Sequence, residues 1–276
     1  MHTRKKALTF SAFFFASIIP ALFWSTSSRA QSCPPPQSVQ TVSIATVFDG
    51  DTVRLNDGRK VRLIGINTPE LGRDGKPDQP LARQAKAALE QLLQGQSDLQ
   101  LQPGQQSHDR YGRLLAHLYL HDGTNLEAQL LKRGLGFAIS IPPNLKLRDC
   151  LRHAEQQARQ QQRGVWSDPY YQPLRATDLS ADNGGFGRFR GQVTKTGKLK
   201  KGHYLELDGK IFITFESTLL QQHPQFSSDN LLGYHIEIRG WLITRKLTKD
   251  QLNRGYLPFM LNINHPDGLK RCDTDC

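Results

Sequence analysis

Beyond its first thirty residues the 276-residue sequence has no long apolar run, no CxxC pair and no HExxH pair. Without such a run the rest of the chain has no candidate membrane helix, which would need about twenty apolar residues in a row. Without those pairs the familiar spacings of zinc sites are gone. Carboxylates are scarce too: 25 Asp and Glu face 36 Lys and Arg, a formal charge of +11. A soluble basic chain attracts polyanions, and nucleic acid is the commonest of them.

What is present begins with a leader. Arg4, Lys5 and Lys6 precede an apolar run at 8–24, and Ser28 and Ala30 end a small-residue stretch. That order predicts a secretory signal peptide over 1–30, with an uncleaved anchor as the competing reading. The leader carries four basic residues and no acidic one, so the mature balance is 11 − 4 = +7. The expected location is periplasmic or secreted. All four cysteines, Cys33, Cys150, Cys272 and Cys276, lie beyond the cut. An even number in an exported chain points to disulfides, and three pairings are possible. Cys33–Cys150 and Cys272–Cys276 are the preferred pairs, the first tying the mature N-terminus to a helix.

Three strands are expected at 41–48, 52–55 and 59–66, the last two joined by the Asn56-Asp57-Gly58 turn. A helix follows over 81–94, opened by Pro80, with Leu81, Ala85, Ala88, Leu89 and Leu92 on one face. Strands at 99–102 and 114–120 lead to a helix capped by Asn125 and ended by Gly134, and a third helix is expected near 146–163. The count predicts a mainly β fold with helices: a five-stranded OB barrel with three helices, over 31–168. Residues 169–187, rich in Pro, Asp, Ser, Asn and Gly, read as a linker. About five further strands within 188–276 predict a second, OB-like barrel. Lys195, Lys198, Lys200 and Lys201 surround one of its hairpins, with Phe212, Tyr234 and Trp241 nearby.

Arg62 interrupts Val61-Arg62-Leu63-Ile64-Gly65-Ile66, a strand apolar on both faces. A guanidinium there is costly unless an anion meets it, and an internal salt bridge is the simplest such partner. Asp49-Gly50-Asp51 turns strand one into strand two, and Asn67-Thr68-Pro69-Glu70 ends strand three at the same rim. Asp51, the Asn67 side-chain carbonyl and the Thr68 main-chain carbonyl would then form an oxygen set suited to Ca²⁺. Taken alone, Thr68-Pro69-Glu70 equally reads as a helix start. His108-Asp109-Arg110-Tyr111-Gly112-Arg113 adds a second cationic turn.

Together these motifs resemble the staphylococcal nuclease (thermonuclease-like) family, over roughly 42–168 and closing on Gly164-Val165-Trp166-Ser167. The resemblance implies a phosphodiesterase that cuts DNA or RNA endonucleolytically and leaves 3′-phosphates. It matches Arg62, Glu70 and Arg113 to the catalytic trio, and Asp51, Asn67 and Thr68 to the calcium ligands. Tyr111 matches a residue contacting a substrate phosphate, with Arg110 beside it. The expected partner is nucleic acid as substrate, with no membrane after leader removal and a monomeric chain. Two departures stand out. Asn67 replaces the usual Asp, which removes a negative charge from the metal shell. Ala138-Ile139-Ser140-Ile141-Pro142-Pro143 lies where the prototype carries tyrosines near the bound base. The alternative class is a catalytically silent nucleic-acid-binding protein.

Overall fold

The computed structural model describes His2 and residues 33–224 and 228–272. The expected leader, His2 apart, and Cys276 of the second expected disulfide lie outside these residues. The elements, in chain order, are β1 (Gln40–Val42), β2 (Ile44–Asp49), β3 (Thr52–Leu55), β4 (Lys60–Leu63), β5 (Ile66–Asn67), α1 (Ala82–Leu93), β6 (Leu99–His108), β7 (Leu114–Tyr119), α2 (Leu126–Lys132), β8 (Phe137–Ala138) and α3 (Arg148–Gln160). After a connector with β9 (Leu174–Arg175) come β10 (Gly185–Leu199), β11 (Gly202–Leu207), β12 (Ile211–Glu216), α4 (Ser217–Gln222), α5 (Ser228–Leu231), β13 (His235–Thr244), α6 (Lys249–Asn253), β14 (Phe259–Asn262) and β15 (Leu269–Cys272).

The first barrel runs β1-β6-β7-β4-β3-β2, with the β4–β7 pair parallel. Its first strand does two jobs. Val42 pairs with Leu99 on β6, and after a break at Ser43, Ile44 pairs with Leu55 on β3. That switch of partner closes the sheet and removes its edges, as a barrel requires. Val53, Val61, Leu63, Leu101 and Leu118 alternate inward and fill the interior. One face of α1 covers the end with Ala82, Ala85, Ala88 and Leu89, whose small side chains let the helix sit close to the sheet. Gly50 depends on that approach, since a Cβ there would lie 2.7 Å from the Ala85 Cβ. The Asp49–Asp51 turn is thereby pressed against the helix and held in place.

The Cys33–Cys150 disulfide joins the N-terminus to α3. The Asn125 side chain caps α2 by accepting from the Ala128 N–H at 2.8 Å. Two details differ from expectation. Leu81, at φ 68°, precedes α1 as its cap, so Pro80 lies outside the helix. Strand β6 continues to His108, six residues past the predicted end, because β7 pairs with it as far as His108.

The second sheet repeats the same strand logic. β10, β11 and β12 form a meander, β14 joins β12 in parallel, and β13 pairs with both β14 and β10. β10 changes partner between Gln192 and Val193, from β13 to β11, as strand one of the first barrel does at Ser43, and a bulge between Val193 and Lys195 follows at once. This is the expected OB-like plan, a curled sheet with Phe189, Leu205, Ile213, Ile238 and Leu261 buried inside.

Residues 169–187 are a packed connector. They carry turns at Pro169–Tyr171, Ala176–Asp178 and Ala181–Asn183, and β9 pairs with Phe189 and Arg190. Tyr171 donates its hydroxyl to the Pro80 carbonyl at 2.5 Å, and Phe137 meets Trp166, Tyr171 and Phe186 in one aromatic group. The buried rings outweigh the turn-forming composition of this stretch.

Ion pairs complete the docking of the second barrel. Arg239 on β13 reaches Glu155 on α3 at 2.7 Å. Asp267 accepts from Arg148 at 2.6 and 2.7 Å, from the Ser140 hydroxyl at 2.6 Å and from Arg152. Burial pushes the Asp267 carboxyl up, but the Arg148 and Ser140 hydrogen bonds and the Arg152 charge prevail and hold it at about 2, below its ordinary 3.8. A depressed value means stabilisation that is complete above the unfolded value and is lost as pH falls toward the folded one. Asp267→Asn is therefore expected to cost about 2 kcal/mol in urea denaturation at pH 7. The gap should shrink as pH drops from about 4 to about 2. Equal stabilities at pH 7 would show that this contact contributes nothing. Among the described residues, no helix is long and apolar enough to cross a membrane.

Candidate active site

Arg62 stands on β4 with its side chain only 12% exposed. Its charge is met from within. Nη2 lies 3.1 Å from Asp51 Oδ2 and donates to Asn67 Oδ1 at 3.2 Å, while Nη1 donates to the Leu63 and Ile66 carbonyls at 2.7 and 2.9 Å. Asp51 Oδ2 also accepts from the Thr68 N–H at 2.8 Å and the Thr68 hydroxyl at 3.1 Å. Its other oxygen accepts from the Thr52 hydroxyl at 3.1 Å. Asp51 and Asn67 thus meet at the Arg62 guanidinium, and Thr68 is tied to Asp51 through its N–H and hydroxyl. Thr68-Pro69-Glu70 starts no helix; the Glu70 N–H donates to the Gln79 side chain at 2.8 Å, and its carbonyl accepts from the Gln79 N–H at 3.0 Å and not from a helical neighbour.

An open cleft of about 370 Å³ lies at this rim, lined among others by Asp49, Asp51, Glu70, Arg73 and Arg113. Its carboxylates and cations are layered. Asp49 and Asp51 are almost wholly buried at the floor, whereas Arg73, 3.6 Å from Asp49, is mostly exposed at the mouth. Glu70 is exposed as a residue, yet burial of its carboxyl raises its proton affinity, and the charges of Asp51 and Asp49 raise it further. Asp49 is raised in the same way, by burial first and by Asp51 second. The Asp51 charge thus raises both of its carboxylate neighbours.

Arg113 comes from the turn before β7. Its Nε donates to Asp109 Oδ2 at 2.7 Å and its backbone N–H to Asp109 Oδ1 at 2.9 Å. Burial raises the Asp109 carboxyl, but these bonds and the Tyr111 N–H lower it more, so it stays ionised and holds Arg113. Tyr111 is 68% exposed, with the Arg110 and Arg113 guanidinium carbons 4.8 and 5.6 Å from its ring centre. Arg110 also donates to the Tyr111 hydroxyl at 2.6 Å.

Three further cleft residues escaped the sequence reading as site members. Asp49 was visible in Asp49-Gly50-Asp51 but not chosen as a ligand. Lys60 and Arg73 carry no sequence signal, since the first looks like strand surface and the second lies in a stretch without periodicity. A larger hollow of about 710 Å³ lies between β2 and α1, but its charged groups, Lys86 and Glu90, pair with each other at 3.8 Å.

The donor set fits a hard divalent cation in charge and in oxygen content. Among the described residues no three His, Cys, Asp or Glu side chains already stand at coordinating distances. A cation at Asp51 and Asn67 would have to displace Arg62 Nη2 from both.

Comparison with known proteins bears on the same half of the chain. Residues 60–168 match the family described as "Staphylococcal nuclease homologue". The chain is 34% identical over 132 residues to the protein named Thermonuclease in Staphylococcus hyicus, spanning 47% of this chain and 77% of that one. It is 35% identical over 126 residues to the Thermonuclease of Staphylococcus intermedius, spanning 45% and 74%. Endonuclease YncB of Bacillus subtilis (strain 168) is 34% identical over 135 residues, spanning 47% and 63%.

Proposed function

The chain belongs to the staphylococcal nuclease homologue family and is a nuclease, a phosphodiester hydrolase; from that premise we propose an exported, Ca²⁺-assisted endonuclease for DNA or RNA that leaves 3′-phosphates. The observation that carries the site assignment is one of convergence. Glu70 and Arg113 line one cleft, and Arg62 grips the Asp51 carboxylate on its floor. These residues reach it from strand β4, the segment after β5 and the turn before β7.

Hydrolysis of a phosphodiester builds charge on the phosphoryl oxygens, and planar guanidinium forks match that charge with paired donors. We assign this work to Arg62 and Arg113. Asp109 holds Arg113 in position before substrate arrives, which removes the entropy of ordering a free side chain. Glu70, on the wall of the same cleft, would orient or deprotonate the attacking water. Tyr111 and Arg110, at the exposed side of Arg113, receive a neighbouring phosphate. Asp51 and Asn67, with the Thr68 main-chain carbonyl, would hold the cation, whose positive charge would stabilise the phosphoryl oxygens. Export is supported by the Cys33–Cys150 disulfide, a bond that persists in oxidising compartments.

The assay is incubation with single-stranded DNA in Ca²⁺ and then in chelator, with end analysis of the products. Cleavage that stops on chelation and yields 3′-phosphates is expected. Binding without cleavage would instead identify a silent binder. Because Asn67 lacks a negative charge, the expected Ca²⁺ affinity is in the roughly millimolar range, and Asn67→Asp should tighten it about tenfold. Calorimetry that finds no gain in Asn67→Asp would remove Asn67 from the shell.

A further inference from the structure

The solvent face of the second barrel carries side chains that its core does not use. Along β11 and β12 the buried residues alternate with Tyr204, Glu206, Phe212 and Thr214, which are partly buried. The register aligns them into rows. Glu206 pairs with Phe212, Phe212 with Met260, and Met260 with Ile243; Tyr204 pairs with Thr214, and Thr214 with Asn262. The next position along β13 is Trp241, 43% exposed. Tyr204 and Phe212 stack with ring centres 4.9 Å apart and planes 25° from parallel. Room for this is built in, since a Cβ on Gly197 would meet the Tyr204 ring at 2.4 Å.

Charge borders one end of this face. Lys200 and Lys201 are exposed at the turn between β10 and β11; Lys198, on β10, pairs with His203 and so lies on the other face, and the charge of Lys195 is taken up by Glu206 at 3.3 Å. The other end runs into the first barrel. Trp241 and Asn262 line a small hollow together with Ile139 and Ser140. Ile139 donates its N–H to the Gly65 carbonyl at 3.0 Å, and β8, just before it, pairs with β5 at Ile66 and Asn67. The face therefore ends beside the strand that carries Asn67.

We infer that this outer face is a track for one nucleic-acid strand, with bases on Tyr204, Phe212 and Trp241 and phosphates at the Lys200-Lys201 turn, leading toward the active cleft. Stacked aromatics edged by lysines suit single strands, whose bases are free to leave their neighbours; a duplex keeps its rings covered. The face also matches the strand-two and strand-three surface by which five-stranded Greek-key barrels of this type bind oligonucleotides. The inference rests on the nuclease reading for its direction, but binding can be measured apart from cleavage.

The test uses the full chain with its disulfide intact, in chelator, and a fluorescent oligothymidylate of about twenty nucleotides followed by anisotropy. The Tyr204→Ala/Phe212→Ala variant is expected to bind roughly tenfold or more weakly. Replacing Lys200 and Lys201 by Ala should reduce the slope of log affinity against log salt by about 1.4, for two lost phosphate contacts. These lysines are exposed on a hairpin, so that variant stays informative even if the aromatic one misfolds. Affinity within twofold of the parent in the aromatic variant, once shown folded by its thermal transition, would overturn the track. So would an unchanged salt slope in the lysine variant, or equal loss for a duplex of the same length. If both effects appear but Ca²⁺ never elicits cleavage, the track stands and the nuclease mechanism falls. If cleavage is normal and neither effect appears, the track alone falls.

Discussion

Replacing Arg62 by Ala is expected to lower the rate of phosphodiester cleavage at least about a hundredfold, the scale for deleting one preorganised transition-state donor. Two features of the structure make the effect large. Arg62 is held in the resting protein by four acceptors, of which the Leu63 and Ile66 carbonyls would keep Nη1 in place when Nη2 leaves Asp51. With Asp51 and Asn67 holding a cation, Nη2 would be free for a phosphate oxygen. Arg62→Lys keeps the charge but loses the fork, so it should recover only a small part of the rate. The measurement is single-turnover cleavage at saturating Ca²⁺, alongside circular dichroism and oligonucleotide binding in chelator. Those two controls separate chemistry from folding, because Arg62→Ala also leaves the Leu63 and Ile66 carbonyls without their donor. A loss smaller than threefold would sink the assigned role.

The second large effect concerns stability. Cys33 and Cys150 are 117 residues apart in sequence, so their bond closes a long loop in the unfolded chain. The chain-entropy account gives about 4–5 kcal/mol for a loop of that size. Cys33→Ser/Cys150→Ser, or the reduced parent, should therefore unfold at much lower urea than the oxidised protein. Cys150 lies on α3, which also supplies Glu155 to Ala138 and Arg239, and Arg148 and Arg152 to Asp267. Loosening this helix should weaken the contact between barrels as well as the first barrel itself. A difference below about 1 kcal/mol would contradict the assigned role of the crosslink.

Local rules were sufficient wherever a residue's partners lie close in sequence. Asn125 capping α2, the Asn56-Asp57-Gly58 turn and the alternation of Val53 and Leu55 inward are choices made within a few residues. Most strands of both barrels were legible for the same reason, β9 and β15 excepted. Asp51 and Asn67 meet by a longer route: the strand expected over 59–66 breaks at Ile64-Gly65, and Asn67 lies on β5, which pairs with β8 in a separate sheet.

Other outcomes depended on partners farther away in the chain. Thr68-Pro69-Glu70 has a good local signal for a helix start, but Gln79 takes the Glu70 N–H and its carbonyl, and the segment stays out of any helix. Residues 169–187 have the composition of a linker, but Tyr171 and Phe186 find Phe137 and become part of a packed surface. Asp267 looks like turn polarity until Arg148, Arg152 and Ser140, more than a hundred residues away, surround it.

By itself, then, the sequence determined two small barrels, a basic chain and the side chains at one rim. Only the tertiary structure decided that Arg62 faces Asp51, that Asp49 shares the cleft with Glu70, and that the two barrels form one body. The reason is the range of the forces involved: propensity and capping act within a turn or two, whereas ion pairs and buried rings are set by whatever the fold brings alongside.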